Sequence, residues 1–456
     1  MGINLSKTKT INKVRKIENR ISDFEEIVFG YSKEEAIEEA SRCLQCKNPT
    51  CVLGCPASNN IPLFIKYIQE DKIEKAKEVL NLTSNMSEIC SRVCDHNKQC
   101  EGKCIRGKNG DPVAIGLLER YVSEQNSHKN AAEPQYLGKK VAIIGSGPAG
   151  LSCAEELIKL GYDVVVFEQE NENGGLLTYG IPNYRLPIKA VSNKITQLKL
   201  MKVNFINNRS LGKDFTIQTL KNEGFAAIFI AIGAQKPKYM GIKGETLNGL
   251  ITSNDFLKYI AQISKDLKTN HKLFIGKKVA VIGGGNSAID AARSALRLSQ
   301  VDSVDIIYRR TKEDMPSSLN EINDAIEEGI KVHTLTNPIE LIGESSIKGV
   351  KCVKMYQTEL DSSGRRAVKP VENSEFIMDF DTVIYAIGND ADDVVKNIDG
   401  IELNKWNNIL VNETFASKDP TIFAAGDIVT GSLTVVNAMA SGKKAAHNIH
   451  EFLKNT

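Results

Sequence analysis

The sequence predicts an α/β fold: two parallel-sheet units, one inserted in the other, behind a small α-helical domain. Three observations predict it. First, Lys139-Lys140-Val141-Ala142-Ile143-Ile144-Gly145 is a short apolar strand that runs into glycines. Second, a near copy follows 138 residues later, Lys277-Lys278-Val279-Ala280-Val281-Ile282-Gly283. Each copy leads into a helical pattern and then a further apolar strand, at 163–168 and at 303–308, so βαβ is written twice. Third, nothing before about residue 130 alternates like a strand, and that region holds eight of the ten cysteines.

Length and charge set the outer bounds. A chain of 456 residues suggests about three domains. Hydrophobic residues are 41% and charged residues 25%, as in an ordinary globular protein. Lys+Arg minus Asp+Glu is 58 − 56 = +2, which gives no bulk charge for wrapping nucleic acid. No apolar run approaches the ~18 residues of a membrane span. The first twenty residues are polar and basic, unlike a secretory signal. Met1-Gly2-Ile3-Asn4-Leu5-Ser6 fits an acylation pattern that six residues often fit by chance. The expectation is an unmodified start and a cytoplasmic protein with no nucleic-acid or membrane partner.

The elements follow in order. Residues 32–46 read as a helix, with Ser32 as cap, Glu34 and Glu35 in the first turn, and Ala36, Ile37 and Ala40 on one face. Residues 62–80 read as one helix started by Pro62 and led by Leu63, Ile65, Tyr67 and Ile68. This domain, 1–132, is expected to depend on metal for its fold. The first sheet unit takes 133–252 and 390–456. The inserted unit takes 253–389. Ile228-Phe229-Ile230-Ala231-Ile232-Gly233 and Thr382-Val383-Ile384-Tyr385-Ala386-Ile387-Gly388 read as matching closing strands. A strand over 421–427 and a helix over 433–453 end the pattern.

The cysteines form two sets: Cys43-x2-Cys46-x4-Cys51-x3-Cys55-Pro56 and Cys90-x3-Cys94-x5-Cys100-x3-Cys104. Dense cysteines in a long cytosolic chain point to metal rather than disulfides. Structural zinc prefers paired C-x2-C knuckles, and the second set has none. A run ending in Cys-Pro is a ferredoxin habit, in which the last cysteine often serves the other cluster. Two [4Fe–4S] clusters are therefore expected. His96, beside the second set, reads as a solvated loop histidine.

Gly145-Ser146-Gly147-Pro148-Ala149-Gly150 is G-x-G-x-x-G between strand and helix. Such glycines let a pyrophosphate approach the backbone at a helix N-terminus. Glu168 closes the next strand, where a carboxylate can accept both ribose hydroxyls. Gly283-Gly284-Gly285-Asn286-Ser287-Ala288 is the G-x-G-x-x-A form. Its next strand ends in Tyr308-Arg309-Arg310 with no acid, which suits a 2′-phosphate and so NADPH. Two different nucleotide sites beside iron–sulfur ligands point to FAD in the first unit. Near the C-terminus, the strand running to Gly426-Asp427 offers a carboxylate for a ribityl hydroxyl. The following helix N-terminus, at Thr434 and Val435, would face the flavin N1–O2 edge.

Together these motifs resemble the small (β) subunit of NADPH-dependent glutamate synthase and its homologues. Those include the large subunit of electron-bifurcating ferredoxin:NADP oxidoreductase, sulfide dehydrogenase-type flavoproteins and the N-terminal half of dihydropyrimidine dehydrogenase. The resemblance runs from about Phe24 onward. It is carried by Arg42-Cys43-Leu44-Gln45-Cys46, Gly54-Cys55-Pro56, 174–182 (Gly-Gly-Leu-Leu-Thr-Tyr-Gly-Ile-Pro), Arg185-Leu186-Pro187, Tyr308-Arg309-Arg310-Thr311, Met315-Pro316 and Ala424-Ala425-Gly426-Asp427. It implies two Rossmann-like, glutathione-reductase-type domains. It implies that Gly175, Leu176 and Arg185 line the FAD, and it leaves Gly233 with the FAD set and Ala386 and Gly388 with the NADPH set. It also divides the metal ligands: Cys43, Cys46, Cys51 and Cys104 for one cluster, and Cys55, Cys94 and Cys100 for the other. The position matching the fourth ligand of the latter is Glu119, whereas spacing alone selects Cys90.

Glutathione and thioredoxin reductase relatives pass electrons through a cysteine pair. No C-x-x-C or C-x4-C occurs after Ser127. Cys153 and Cys352 read as plain buried residues. The expected activity is hydride transfer from NADPH to FAD, then single electrons through the clusters to a large synthase-type subunit or a ferredoxin or flavoprotein subunit. The alternatives are a ferredoxin:NADP(+) oxidoreductase large subunit or a stand-alone sulfide dehydrogenase-like flavoprotein. No room is left for an amidotransferase or FMN synthase domain, so the chain alone is not expected to make glutamate.

Overall fold

The structure is a computed structural model that describes residues 4–125, 135–265, 273–360 and 364–456. Met1, Gly2 and Ile3 of the acylation-like start, and the 132/133 boundary, lie outside the described residues.

The N-terminal domain is helical. Helix Lys33–Ser41 starts in a full capping box between Ser32 and Glu35. The single helix expected over 62–80 is two, Ile61–Gln69 and Ile73–Thr83. The break falls at Asp71, whose φ of 53° stops the first helix. A short polar side chain tolerates that left-handed conformation better than most. Phe64, Ile65, Ile68, Leu118 and Val122 are fully buried together. This domain therefore has an apolar core of its own, beyond the metal-dependent fold expected from its composition.

The first sheet has the order Ile422–Ala424, Phe225–Ile230, Lys140–Ile144, Asp163–Phe167, Asn204–Ile206, all parallel. Its outermost strand on one side comes from far down the chain, so the second unit is an insertion. That unit's sheet has the order Leu250–Thr252, Thr382–Tyr385, Lys278–Ile282, Ser303–Ile307, Lys331–His333, again parallel. Leu250–Thr252, assigned with the first unit from sequence, pairs in this second sheet; three residues are too few to show their partner by periodicity. The chain crosses between the units at Lys236–Pro237 and Asn389–Asp390, which pair antiparallel. An antiparallel sheet of Thr336–Gly343, Ile347–Leu360, Arg366–Pro370 and Phe376–Met378 interrupts the inserted unit.

Helix Val435–Lys454 packs along helix Pro148–Lys159. The contact is close because Gly442 faces it: a Cβ there would stand 2.2 Å from Ala149 O. Gly150 serves the same purpose one layer in, where a Cβ would stand 1.9 Å from Gly145 O. Cys153 and Cys352 are fully buried.

Candidate functional site

The first glycine loop opens into a cleft of about 1160 Å³, solvent mouth included. Gly145, Gly147, Pro148, Ala149 and Glu168 form one wall, and Gly175, Leu176 and Gly233 the next. Gly426, Asp427, Thr434 and Val435 close the far side. The structure thus brings together twelve of the fourteen residues assigned to the FAD set from sequence. Gly147 faces open space, so its backbone is approachable. Glu168 turns back into the loop: its carboxylate accepts from Ser146 N at 3.0 Å, Ser146 Oγ at 2.5 Å and Glu170 N at 2.9 Å. Ser146 Oγ in turn accepts from Gly174 N at 2.9 Å, tying the two glycine turns together. Asp427 accepts from Leu433 N at 3.2 Å, and burial raises its pKa. Sequence reasoning missed Ser146, Arg209 and Gln235 on these walls, because none sits in a motif glycine position.

Gly150 and Arg185 lie outside the cleft. Gly150 packs the helix on the strand, as above. Arg185 turns toward the inserted unit: its Nη1 donates to both carboxylate oxygens of Asp290, at 2.9 and 2.8 Å, on helix Asn286–Leu296. Its Nε stands 3.2 Å from Glu321. Tyr184 lies beneath the guanidiniums of Arg293 and Arg297, at 5.0 and 4.2 Å from its ring centre. Arg185 belongs to a buried ionic seam between the two units. A motif shows that a residue matters locally; it does not show which way an arginine turns.

In the second loop, Gly285 caps helix Asn286–Leu296, and Asn286 and Ser287 are exposed at that helix start. Gly283 approaches Ala386 so closely that a Cβ would stand 2.3 Å from its carbonyl, while Gly388 faces open space. The two arginines after the strand differ. Arg309 is exposed, whereas Arg310 is buried and donates from Nε to Arg366 O at 3.0 Å.

The eight N-terminal cysteines are all free, and the charges that act on them divide them into two sets. Burial pushes the Cys43 thiol up to about 11 and Cys51 up to about 12; Cys104 and Cys46 act on both. Burial likewise raises Cys55 and Cys100, which feel Glu119 and Cys94. Cys55, Cys90, Cys94, Cys100, Glu119 and His96 line one small cavity. Glu119 is raised to about 7 by burial, and Asn59 Nδ2 donates to it at 3.4 Å. Cys90 Sγ lies 4.0 Å from Met439 Sδ, toward the C-terminal helix. Both candidate fourth ligands thus reach the same cavity. His96 is a correction, for its Nε2 is sealed from solvent rather than solvated. Gly116 makes the room, since a Cβ there would stand 2.5 Å from the imidazole.

The two cavities share a wall. Val435 lines the cleft and Val436 lines the cysteine cavity. They are the first two residues of helix Val435–Lys454.

A helical cysteine domain ahead of two nested dinucleotide units defines an iron–sulfur pyridine-nucleotide oxidoreductase. Comparison with known proteins agrees. Residues 20–131 match the family model "Dihydropyrimidine dehydrogenase domain II, 4Fe-4S cluster", and residues 139–442 match "Pyridine nucleotide-disulphide oxidoreductase". The chain is 36% identical to the glutamate synthase [NADPH] small chain of Azospirillum brasilense, over 95% of this chain and 92% of that one. It is 36% identical to the Escherichia coli (strain K12) small chain, over 97% and 95%. It is 38% identical to the NADP(+)-dependent formate dehydrogenase subunit beta of Moorella thermoacetica, over 89% and 60%. The chain belongs to the glutamate synthase [NADPH] small-chain family. Among solved structures, FprA of Mycobacterium tuberculosis in complex with NADPH aligns at TM-score 0.58 with 18% identity, over 70% of this chain and 85% of that one. That likeness shows the fold. No helix among the described residues is long and apolar enough to cross a membrane.

Proposed function

We propose that this chain takes electrons from NADPH and delivers them singly to a partner subunit, through FAD and two [4Fe–4S] clusters. The observation that carries this reading is the shared wall at Val435 and Val436, consecutive residues that line the first-loop cleft and a cysteine cavity. The bound groups would supply hydride transfer from nicotinamide to flavin and one-electron passage onward.

The protein's part is positioning. Gly145, Gly147 and the N-terminus of helix Pro148–Lys159 would hold the FAD pyrophosphate, with Glu168 on the ribose. Asp427 would hold the ribityl chain, and the helix start at Thr434 and Val435 would present amides to the flavin. Gly283, Gly285, Asn286 and Ser287 would hold NADPH, with Ala386 and Gly388 flanking it and Arg309 on its 2′-phosphate. Cys43, Cys46, Cys51 and Cys104 would hold one cluster. Cys55, Cys94, Cys100 and Glu119 would hold the other. Among the described residues, no three such groups converge enough to share a single ion. A cubane spreads its ligands over four irons and suits a wider cage.

Relatives named as small or beta subunits support a partner subunit as acceptor. The test is anaerobic NADPH addition to purified protein: bleaching of the flavin absorbance is expected, and a colourless protein would end the reading. Cys90→Ala should keep about eight irons per chain, the content of two such clusters, while Glu119→Ala should lose or destabilise one. The reverse result would return the ligand role to Cys90.

A further inference from the structure

One residue that lines the second cysteine cavity has a polar atom with nothing to bond. His96 Nε2 is sealed from solvent and has no hydrogen-bond partner. Its side chain lines that cavity with Cys55, Cys94 and Cys100. The ring is not free to turn away, because it lies against Gly116, where a Cβ would come within 2.5 Å of Cε1 and Nε2. The backbone behind it is closed as well: Gln99 N and Gly102 N donate to His96 O at 3.2 and 3.1 Å. Native structures rarely leave a buried donor unmet, and such an atom calls for an explanation.

We propose that His96 Nε2–H donates a hydrogen bond to a sulfur of the iron–sulfur centre held by Cys55, Cys94 and Cys100. This rests on the reading that the cavity holds a [4Fe–4S] cluster. Hydrogen bonds to cluster sulfurs stabilise the extra negative charge of the reduced state, and so raise the reduction potential. The centre in question is the one that shares a wall with the flavin cleft. His96 would thereby make the first one-electron acceptor easier to reduce, without touching the flavin.

The test is an EPR-monitored redox titration of the reconstituted holoprotein, wild type against His96→Leu and His96→Gln. His96→Leu should keep its full iron. At a fixed potential its oxidised-to-reduced ratio should rise about tenfold, a midpoint about 59 mV lower for one electron. His96→Gln, whose amide N–H can reach the same place, should recover most of that shift. Proton ENDOR on the wild type should show an exchangeable proton coupled to this centre, a readout that needs no variant to fold.

A centre that Cys100→Ser abolishes, but whose potential ignores His96→Leu, would sink the proposal alone. So would the absence of the exchangeable proton. Loss of iron in both His96 variants would make the residue a ligand and overturn the donor role. A wild type with no centre dependent on Cys100 would sink the underlying reading and the proposal with it.

Discussion

The two nested units contain the same strand, glycine loop and helix, and use them in opposite ways. In the first, Glu168 is buried and folds back to bond Ser146 and Glu170. In the second, Arg309 stands exposed at the equivalent strand end. The first loop is walled in by Gly426, Asp427 and the C-terminal helix. The second presents Asn286 and Ser287 at an exposed helix start. A cofactor that stays bound is served by enclosure, and a coenzyme that must leave each turnover by an open edge. The same βαβ element provides both, because the difference lies in what the rest of the chain lays over it.

That comparison breaks first at the seam between the units. Arg185→Ala leaves Asp290 as an unpaired buried carboxylate, which costs about 3–5 kcal/mol in comparable pairs. Thermal unfolding should show a large drop in stability. The double variant Arg185→Met/Asp290→Leu should recover much of it, since no buried charge is left alone. An undiminished melting temperature in Arg185→Ala would mean that the seam is not structural.

Glu168→Ala probes the enclosed site. It removes the carboxylate that would meet two ribose hydroxyls, at roughly 1.5–3 kcal/mol each for hydrogen bonds to a charged group. FAD affinity should fall about 100-fold or more, read by flavin release on gel filtration. NADPH binding to the flavin-free protein, followed by calorimetry, should stay as it was. A variant that kept its flavin would make Glu168 a loop brace only.

The smallest effect sharpens the open site. Arg309→Ala should raise the NADPH KM about tenfold, for about 1.4 kcal/mol of phosphate contact. NADH turnover should change little. Arg310→Ala should affect both coenzymes together, because Arg310 is anchored on Arg366 O and holds the antiparallel sheet against the strand end. If Arg310→Ala alone selects against NADPH, the two roles are exchanged.

The sequence made the parallel sheets legible because buried strands that end in glycine carry a dense local signal. Glu168, Gly426, Asp427, Thr434 and Val435 were legible for the same reason: each closes a strand or opens a helix. The antiparallel sheet over 336–378 was not, since its pairing depends on neighbours and not on one apolar run. The surroundings of Arg185 and His96 were not legible, for a shared physical cause. Each is polar, sits in a loop motif, and is buried by an element distant in sequence: the helix bearing Asp290 in one case, Gly116 in the other. Spacing selects Cys90 and the resemblance Glu119, and both line the same cavity.

The shared wall also has a consequence in time. Its residues, Val435 and Val436, are synthesised long after the glycine loop at Gly145 and the cysteines at Cys55, Cys94 and Cys100. At ~5–20 residues per second, the ribosome takes roughly 15–60 s to travel from Gly150 to Val435. Through that interval the sheet of the first unit lacks its outer strand, and both cavities lack a side. Both sites are therefore open on that side until the C-terminal helix is made. When helix Val435–Lys454 docks, with Gly442 against Ala149 and Met439 against Ser84, a single element completes a side of each.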